Sequence, residues 1–234
     1  MPITPHHFQG FAYHTPYLPP CCQSWAELQP LARRVVCKAG EQMVGYIGEE
    51  MVFYYVESGS CQTMLHMLDG STESMFIMTP GTLAGLPMTM GGSILSASAL
   101  ICLSSGVFWQ FRQSLWSEDF MRQYPRHAME CTRMLAISTM TMVNLRILAR
   151  SGTERGLARF LCGMVHDQGT FRLSPVFSIS QMARMLGFHR VSLSRLISGF
   201  VERGILGRYD REVIEVLDPA ALLDLAEGES RLRR

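Results

Sequence analysis

The first half of the chain alternates short hydrophobic runs with glycine-containing turns. From about Leu31 to Phe111, runs such as MVFYYVE, CQTMLHML and SMFIM lie between glycines. Short strands separated by turns at intervals of roughly 8–12 residues are typical of an antiparallel sandwich or barrel. Asp69-Gly70 falls between two of these runs. It predicts a hairpin turn, because Asp-Gly tolerates the positive backbone angles that such turns require.

The hydrophobic spacing becomes helical from about Glu118. No glycine occurs between Gly106 and Gly152, and the pattern predicts one long helix from Met129 to Arg150. Its apolar residues fall on two faces. The first face, with alternating steps of four and three residues, comprises Cys131, Leu135, Ser138, Met142, Leu145 and Ala149. The second comprises Ala136, Met140, Val143 and Ile147. Such a helix is buried on two sides, either within one domain or against a second copy of itself.

The last third of the chain carries start and stop signals for further helices. Ser178 and Gln181 have the spacing of a capping box, and Gly187 ends the helix that they begin. A second helix follows at once and ends at Gly204. Two short strands are then predicted on either side of Asp210-Arg211, before a final short helix. Helix, tight turn, helix and two-stranded wing form the layout of a winged helix-turn-helix.

The second helix of this motif has one apolar and one polar face. The buried face is predicted to comprise Leu193, Leu196, Ile197 and Phe200. The opposite face carries Val191, Ser194, Arg195 and Ser198, whereas exposed helices usually carry Glu and Lys pairs. Residues 184–211 contain six arginines and two acidic residues, although the net charge of the whole chain is +1. This local positive charge indicates an anionic partner.

DNA is the partner that this motif predicts, because its second helix lies in the major groove with N-terminal residues against base edges. The planar fork of Arg190 can bond both major-groove acceptors of guanine, and Arg195 can do the same or bind phosphate. Short serine hydroxyls reach phosphates or bases, and arginines on the wing lie beside the DNA backbone. The predicted DNA-binding residues are Arg190, Ser192, Ser194, Arg195, Ser198, Arg208 and Arg211.

The segment FSISQMARMLGFHRVSLSRLISGFVERGIL resembles the DNA-binding motif of the CRP/FNR family, the relatives of the cyclic-AMP receptor and the fumarate-nitrate regulator. KAGEQMVGYIGEEMVFYYVESGS resembles the start of the family's β-roll, and MTPGTLAGL its glycine-flanked turn before the effector pocket. The resemblance covers almost the whole chain. It implies an α+β fold with an N-terminal antiparallel β-roll (a double-stranded β-helix), a long dimerisation helix and a C-terminal winged helix-turn-helix. The expected divisions are an irregular arm at 1–25, the β-roll at 26–117, the dimerisation helix at 118–150 and the DNA-binding domain at 151–234.

The family resemblance also implies a mode of action. It implies a homodimeric transcription regulator with one effector pocket per β-roll, whose effector reorients the C-terminal domains. The dimer reads a palindromic site near a promoter, and RNA polymerase is a further expected partner. On the first face of the long helix, the expected dimer contacts are Leu135, Ser138, Met142 and Leu145.

Matching the motif residue by residue supports the DNA contacts and reveals two departures. Arg195 falls on the family's most reliable base-contacting arginine, and Arg190 on a position that contacts DNA in the cyclic-AMP branch. Ser194 matches a serine of the fumarate-nitrate branch. At the position of Val191 the family commonly has a glutamate that accepts a hydrogen bond from cytosine. Valine cannot accept this bond, so recognition of cytosine is lost or is replaced by contact with a thymine methyl group. His189 takes the cap position, where serine is usual.

The predicted effector is not a cyclic nucleotide. Placing PGTLAGLPMTMGGSILSASA on the cyclic-AMP-binding pattern puts Leu86 at the ribose-binding glutamate and Leu95 at the phosphate-binding arginine. No charged residue occurs from Ser74 to Gln110, and a buried phosphate without a partner is costly. The expected pocket comprises Leu83, Leu86, Met88, Leu95, Ser138 and Thr139. Such a pocket suits a neutral or weakly polar molecule, or is filled by its own side chains.

Other chemistry has less support in the sequence. The seven cysteines are irregularly spaced, with no signal peptide and no run of roughly 18 apolar residues, so we expect a cytoplasmic protein that does not cross a membrane. Cys21-Cys22 is the only cysteine pair in the arm, and Cys37 lies in a predicted strand. The other cysteines, Cys61, Cys102, Cys131 and Cys162, are expected in the core. The alternative is a cupin-like, ligand- or metal-binding β-roll enzyme, but His66 stands alone where paired histidines are needed. We predict no enzymatic activity, no cofactor and no metal site.

Overall fold

The computed structural model describes residues 2–66, 70, 72–86, 97–174, 178–210 and 212–228. They form two compact units that differ from the expected division of the chain. The sheet unit is Tyr17–Met140, and the helical unit combines Met1–Pro16 with Thr141–Arg234. The chain therefore leaves the helical unit after its first residues and returns to it in the middle of the long helix.

Two sheets make up most of the sheet unit. Its strands are Tyr17–Leu18 (β1), Arg33–Cys37 (β2), Gln42–Met43 (β3), Tyr46–Ile47 (β4), Glu50–Val56 (β5), Ser60–His66 (β6), Thr72–Met78 (β7), Leu83–Ala84 (β8), Ala97–Ser104 (β9) and Gly106–Arg112 (β10). One sheet has the order β1-β7-β6-β9-β3, and the other the order β2-β10-β5-β4 with β8 also paired to β5. Only β1 and β7 pair in parallel among these described strands, and the sheets do not close into a barrel. The predicted α+β fold with an antiparallel N-terminal roll is confirmed.

The hairpin predicted at Asp69-Gly70 is present as a pair of strands. β6 and β7 run antiparallel and pair as far as His66 opposite Thr72. Residues 67–69 and 71, at the tip of the predicted turn, lie outside the described residues. A register shift interrupts the pairing between Gln62 and Met64, and from Met64 to His66 each residue of β6 lies opposite one residue of β7.

An aromatic cluster forms the core of the sheet unit at one end of its second sheet. Trp25 is fully buried, with ring centroids 5.6 Å from Phe53 and 5.2 Å from Phe111. Its indole N–H donates to the carbonyl oxygen of His127 at 3.3 Å. Trp25 lies in a 3₁₀ helix, Gln23–Leu31, so the end of the expected irregular arm is ordered instead. Burying an indole removes a large apolar surface from water, provided that its N–H finds an acceptor.

The α-helices are Glu118–Gln123 (α1), Pro125–Arg150 (α2), Thr153–Gln168 (α3), Ile179–Leu186 (α4), Arg190–Glu202 (α5) and Pro219–Glu227 (α6). The long helix α2 begins four residues earlier than predicted, at a proline, which suits the first turn of a helix because it lacks an N–H. Its best-buried side chains include Cys131, Met134 and Leu148.

The helical unit is built around α3. Leu157, Phe160 and Leu161 of α3 are fully buried, and so is Leu222 of α6. A small sheet comprises Arg172–Leu173 (β11), Leu206–Tyr209 (β12) and Ile214–Val216 (β13), in the order β11-β13-β12. The two predicted wing strands are therefore present as β12 and β13. The third strand, β11, is only two residues long, too short to show an alternating pattern.

The first sixteen residues pack on the helical unit, and the prediction of an irregular arm is wrong for them too. A 3₁₀ helix, Pro5–Phe11, buries Phe8 completely, and its ring lies 5.9 Å from Phe171. The Thr15 hydroxyl donates to the Asp167 carboxylate. A Cβ atom on Gly163 of α3 would lie only 3.0 Å from the Thr15 side chain, so glycine permits this close approach. The segment is ordered because its aromatic side chains find apolar partners far along the chain.

Candidate DNA-binding surface

Local hydrogen bonds set the geometry of the helix-turn-helix. The Gln181 N–H donates to Ser178 Oγ at 3.3 Å, and the Ser178 N–H donates to Gln181 Oε1 at 2.7 Å. This is the predicted capping box at the start of α4. Gly187 ends the helix with φ of 68°, in the left-handed region that glycine adopts without a steric penalty. His189 occupies the cap position of α5, and its side chain makes no capping hydrogen bond.

Helix α5 separates an apolar face from a polar one, as predicted. Leu193, Ile197 and Phe200 are buried in the helical unit. Leu196, predicted on the same face, is only half-buried and marks the edge of the stripe. The exposed residues include every predicted DNA-binding residue of this helix, namely Arg190, Ser192, Ser194, Arg195 and Ser198, together with Val191.

The arginines of this region are not equivalent. Arg190 and Arg195 form no ion pair with any described residue, so their charge is free for a partner. Arg203 is bound to Glu154 and its guanidinium lies 5.6 Å from the centre of the Phe200 ring. Among the described arginines of residues 184–211, the unpaired ones are therefore Arg184 on α4 and Arg190 and Arg195 on α5.

The predicted wing residue Arg208 is exposed but lies beside two carboxylates. Its Nε donates to Asp210, and its guanidinium is 3.7 Å from the Glu212 carboxylate. The backbone N–H groups of Glu212 and Val213 lower the pKa of Asp210, with a further contribution from Arg208, so this carboxylate stays charged. These acids offset part of the positive charge expected on the wing. Arg211, the other predicted wing contact, lies outside the described residues.

The residues of the expected effector pocket are only partly brought together. Leu83 and Leu86 are buried, and the Leu83 N–H lies 3.3 Å from the sulfur of Met134 on α2. Met88 and Leu95 lie outside the described residues.

The hydroxyl pair expected to meet the effector from α2 is engaged locally. The Ser138 hydroxyl is buried and donates to the Met134 carbonyl at 2.8 Å. Thr139 is exposed, and its hydroxyl donates to the Leu135 carbonyl at 2.9 Å. Serine and threonine often bond back to the fourth preceding carbonyl in a helix. Thr139 therefore does not join Leu83 and Leu86 in the interior of this chain.

The expected dimer contacts on α2 differ in exposure. Ser138 is buried, Leu135 and Leu145 are half-buried, and Met142 is 39% exposed. The most exposed large apolar residues of α2 instead belong mainly to the other predicted face: Met129 (69%), Met140 (51%), Val143 (48%) and Ile147 (46%). Together with the exposed Ala136, these five residues follow steps of seven, four, three and four. We call them the exposed seam.

The cysteines that follow the first 25 residues lie in the interior of their units. Cys61, Cys102, Cys131 and Cys162 are buried free thiols, as expected for core residues, and Cys37 at the end of β2 is buried as well. No group of three or more His, Cys, Asp or Glu side chains in the described part of the chain is arranged to hold a metal ion. None of the described helices is long and apolar enough to cross a membrane.

Comparison with known proteins agrees with this architecture. A model of the Crp-like helix-turn-helix domain matches residues 157–225. A CprK variant complexed with OCPA is 14% identical, with a TM-score of 0.68 over 92% of this chain and 98% of that one. FixK2 from Bradyrhizobium japonicum is 20% identical, with a TM-score of 0.67 over 84% and 98% of the two chains. CLP, the c-di-GMP responsive global regulator of Xanthomonas campestris, is 14% identical, with a TM-score of 0.67 over 82% and 98%. A search of curated proteins found no match.

The matched domain contains the elements of the candidate surface. Residues 157–225 include most of α3, the capped helix α4, the exposed arginines of α5 and the wing. The solved structures extend the likeness of fold to most of the sheet unit. Nothing in these matches favours the cupin-like enzyme. The chain therefore contains a Crp-like helix-turn-helix domain, and it shares its overall fold with solved structures of transcriptional regulators that include a CRP/FNR-family protein from Thermus thermophilus.

Proposed function

We propose that the protein acts as a homodimer that binds a palindromic promoter site through α5. The observation that carries this proposal is the exposed surface of α5: Val191 and Arg195 lie opposite the buried Leu193, and Arg190 is exposed at the start of the helix. A helix held in this way presents its first turns to the major groove. The free charges of the two arginines supply attraction to phosphate, and their forked shape supplies selectivity for guanine.

The side chains of α5 are assigned different contacts with DNA. Arg190 and Arg195 lie five residues apart, or about 7.5 Å along the helix axis, a distance of roughly two base pairs. We assign Arg195 to a guanine and Arg190 to a neighbouring base or phosphate. Val191, which is 62% exposed, has no polar atom and suits a thymine methyl group. Ser192, Ser194 and Ser198 position the helix through hydrogen bonds to phosphates or base edges.

The wing contributes less than its arginines alone would indicate. Arg208 must exchange its contacts with Asp210 and Glu212 for a DNA phosphate, so part of the electrostatic gain is lost in breaking them. We assign Arg208 and Arg211 to backbone contacts that carry no sequence information. The wing should therefore contribute little to the dependence of affinity on salt.

The exposed seam supports a dimer through α2. Its steps of seven, four, three and four residues are those of a coiled coil, in which each apolar side chain packs between residues of the facing helix. Leaving four large apolar side chains on one helix in water is unfavourable by about 25 cal/mol for each Å² of apolar surface. Two copies of the same helix cover this surface symmetrically. We therefore move the proposed interface from the first face to Met129, Ala136, Met140, Val143 and Ile147.

The dimer is proposed to respond to a small effector that is not a cyclic nucleotide, and to act together with RNA polymerase. Related folds accommodate different small molecules, since CprK is complexed with OCPA and CLP responds to c-di-GMP. The described pocket residues Leu83 and Leu86 are buried and apolar, and the chain has no charged residue from Ser74 to Gln110. A cyclic phosphate would lose its hydration there without gaining a charged partner.

Selection of bound DNA from a random pool tests the proposal directly. We expect enrichment of two inverted half-sites whose centres are about 10 base pairs, or one helical turn, apart. The Arg203→Ala variant is a control, because Arg203 contacts Glu154 and Phe200 within the helical unit, and it should select the same sequence. Recovery of single, unpaired half-sites, or of no common sequence, would contradict the proposal.

The effector class is tested by calorimetric titration of the full-length protein with cyclic AMP, cyclic GMP and c-di-GMP. We expect no binding of any of them at micromolar concentration. The same protein sample should bind its selected DNA, which shows that it is folded. Micromolar binding of one cyclic nucleotide would refute the argument from the uncharged segment.

A further inference from the structure

A cavity of about 580 Å³ lies at one end of the second sheet of the sheet unit. Cavities that bind small molecules commonly enclose about 300–1,000 Å³. The lining comes from the segment that enters β2, from β4 and from the end of β10 with the turn after it, and it includes Leu31, Arg33, Ile47, Gln110, Arg112 and Leu115. None of the described residues of the expected effector pocket lines this cavity, so the two sites are separate.

Strand pairing places three polar side chains of the cavity on one face of the sheet. Arg33 of β2 lies directly opposite Gln110 of β10, and Arg112 follows Gln110 by two residues on the same strand. Because side chains alternate between the two faces along a strand, these three residues point to the same side. Gln110 is 5% exposed, and its Nε2 donates to the Tyr54 hydroxyl at 2.7 Å, which fixes the amide. The cavity thus has two guanidinium groups near a fixed, buried amide.

The two arginines of the cavity differ in their partners. Arg112 donates to one oxygen of the Glu50 carboxylate at 2.8 Å, and the Ser114 N–H donates to the other oxygen at 2.8 Å. Arg33 is exposed and forms no ion pair with a described residue, so its charge is not offset. Glu49 is exposed and lines an adjoining cavity on the side of Glu50. An anion is therefore attracted to Arg33 rather than to the end of the cavity where the two glutamates lie.

The rest of the lining includes apolar side chains that are only partly covered. Leu31 is 53% exposed, and Ile47 and Leu115 are half-buried. An aliphatic chain that lies against these residues removes apolar surface from water on both partners, which is favourable. A molecule that suits the cavity therefore combines one negatively charged group for Arg33 with an apolar tail.

We propose that this cavity binds a small amphipathic carboxylate of the medium-chain fatty acid type, with the carboxylate on Arg33 and the chain against Leu31 and Leu115. A guanidinium group donates two parallel hydrogen bonds to a carboxylate. The Glu50 carboxylate, held by Arg112, shows that groups of this cavity accommodate such a head group. A single negative charge matches the one unpaired arginine, whereas a phosphate dianion would leave a charge without a partner near Glu50. The site goes beyond the proposed function and does not depend on it.

Titration of the ¹⁵N-labelled full-length protein with octanoate, followed by NMR, tests the proposal. We expect saturable shifts of the amide signals of residues 31–33 and 110–115, with a Kd of about 1 mM for a ligand of about ten non-hydrogen atoms. Octanol and octylamine share the chain but lack the negative charge, and acetate has the charge but lacks the chain. Each should bind at least about tenfold more weakly than octanoate. Equal binding of octanol would exclude a role for the carboxylate, and equal binding of acetate would reduce the cavity to a general anion site; either result, or no binding of octanoate, would overturn the proposal.

Variants of β2 and β5 locate the octanoate within the protein. Arg33→Ala should weaken octanoate binding about tenfold, because the carboxylate loses its charged donor. Arg34→Ala is the matched control, since Arg34 follows on the same strand but points to the other face and does not line the cavity. Glu50→Gln should strengthen binding severalfold, because it frees the charge of Arg112. Circular dichroism checks that each variant is folded, and Arg33→Gln replaces the alanine variant if that one is not. Unchanged affinity in the Arg33 variant, or weaker binding by Glu50→Gln, would refute the assignment.

Discussion

Arg195→Ala removes from the exposed face of α5 one guanidinium group, which can donate two hydrogen bonds to the same base. The packing of the helix is left unchanged. Arg195 is exposed and forms no ion pair with a described residue, so the free energy of unfolding should change by less than about 0.5 kcal/mol. Loss of a bidentate contact to guanine should weaken specific binding by about 1–3 kcal/mol, or roughly 5- to 150-fold in Kd. The preference at one position of each half-site should relax at the same time.

Fluorescence anisotropy with the selected site, titrated at several salt concentrations, measures this effect. Arg195→Lys keeps the charge but loses the planar fork, so it should show the same loss of base preference with an unchanged salt slope. Arg203→Ala should bind like the parent, because Arg203 is bound to Glu154. If Arg195→Ala weakens all sequences equally and reduces the salt slope by about 1, Arg195 binds phosphate instead. Unchanged binding by Arg195→Ala would refute the role of α5 as the reading helix.

Three further predictions address the dimer and the two units. The double substitution Val143→Glu and Ile147→Glu places charge in the exposed seam and should yield monomers in sedimentation, whereas the control Arg146→Glu should remain dimeric. A monomeric parent protein would contradict the proposed interface. Ser178→Ala should destabilise the helical unit by about 1 kcal/mol in denaturant unfolding, since Gln181 loses its capping acceptor, and an unchanged midpoint would exclude this role for the cap. Phe8→Ala should cost about 3–5 kcal/mol if the first residues belong to the helical unit, and a loss below about 1 kcal/mol would show that they do not.

Local signals determined the helix-turn-helix. The capping box of Ser178 and Gln181, and the left-handed turn at Gly187, depend on hydrogen bonds and backbone angles within a few residues. The apolar stripe of Leu193, Ile197 and Phe200 repeats every three or four residues, so its exposed opposite face could be read from the sequence as well. These interactions need no distant partner, which is why the sequence predicts both the motif and the candidate DNA contacts.

Tertiary packing decided which of two similar faces of α2 is covered. The sequence has apolar residues on both faces, but the Cys22 side chain and the Leu83 backbone, both distant along the chain, contact Met134 on one of them. Met140 and Val143 are left exposed as a result. Periodicity shows how many apolar faces a helix has, but the choice between them depends on the segments that fold against it.

Tertiary contacts also decided whether the first residues fold and how much net positive charge the wing carries. Phe8 is buried because its ring meets Phe171, and Thr15 is held by Asp167, at positions more than a hundred residues away in the sequence. The charge of Arg208 is offset by Asp210 and Glu212, whose side chains the turn between β12 and β13 brings beside it. The sequence contains the residues that make these contacts but does not show which of them meet. Only folding brings the partners within a few ångströms, where apolar contact and ion pairing become effective.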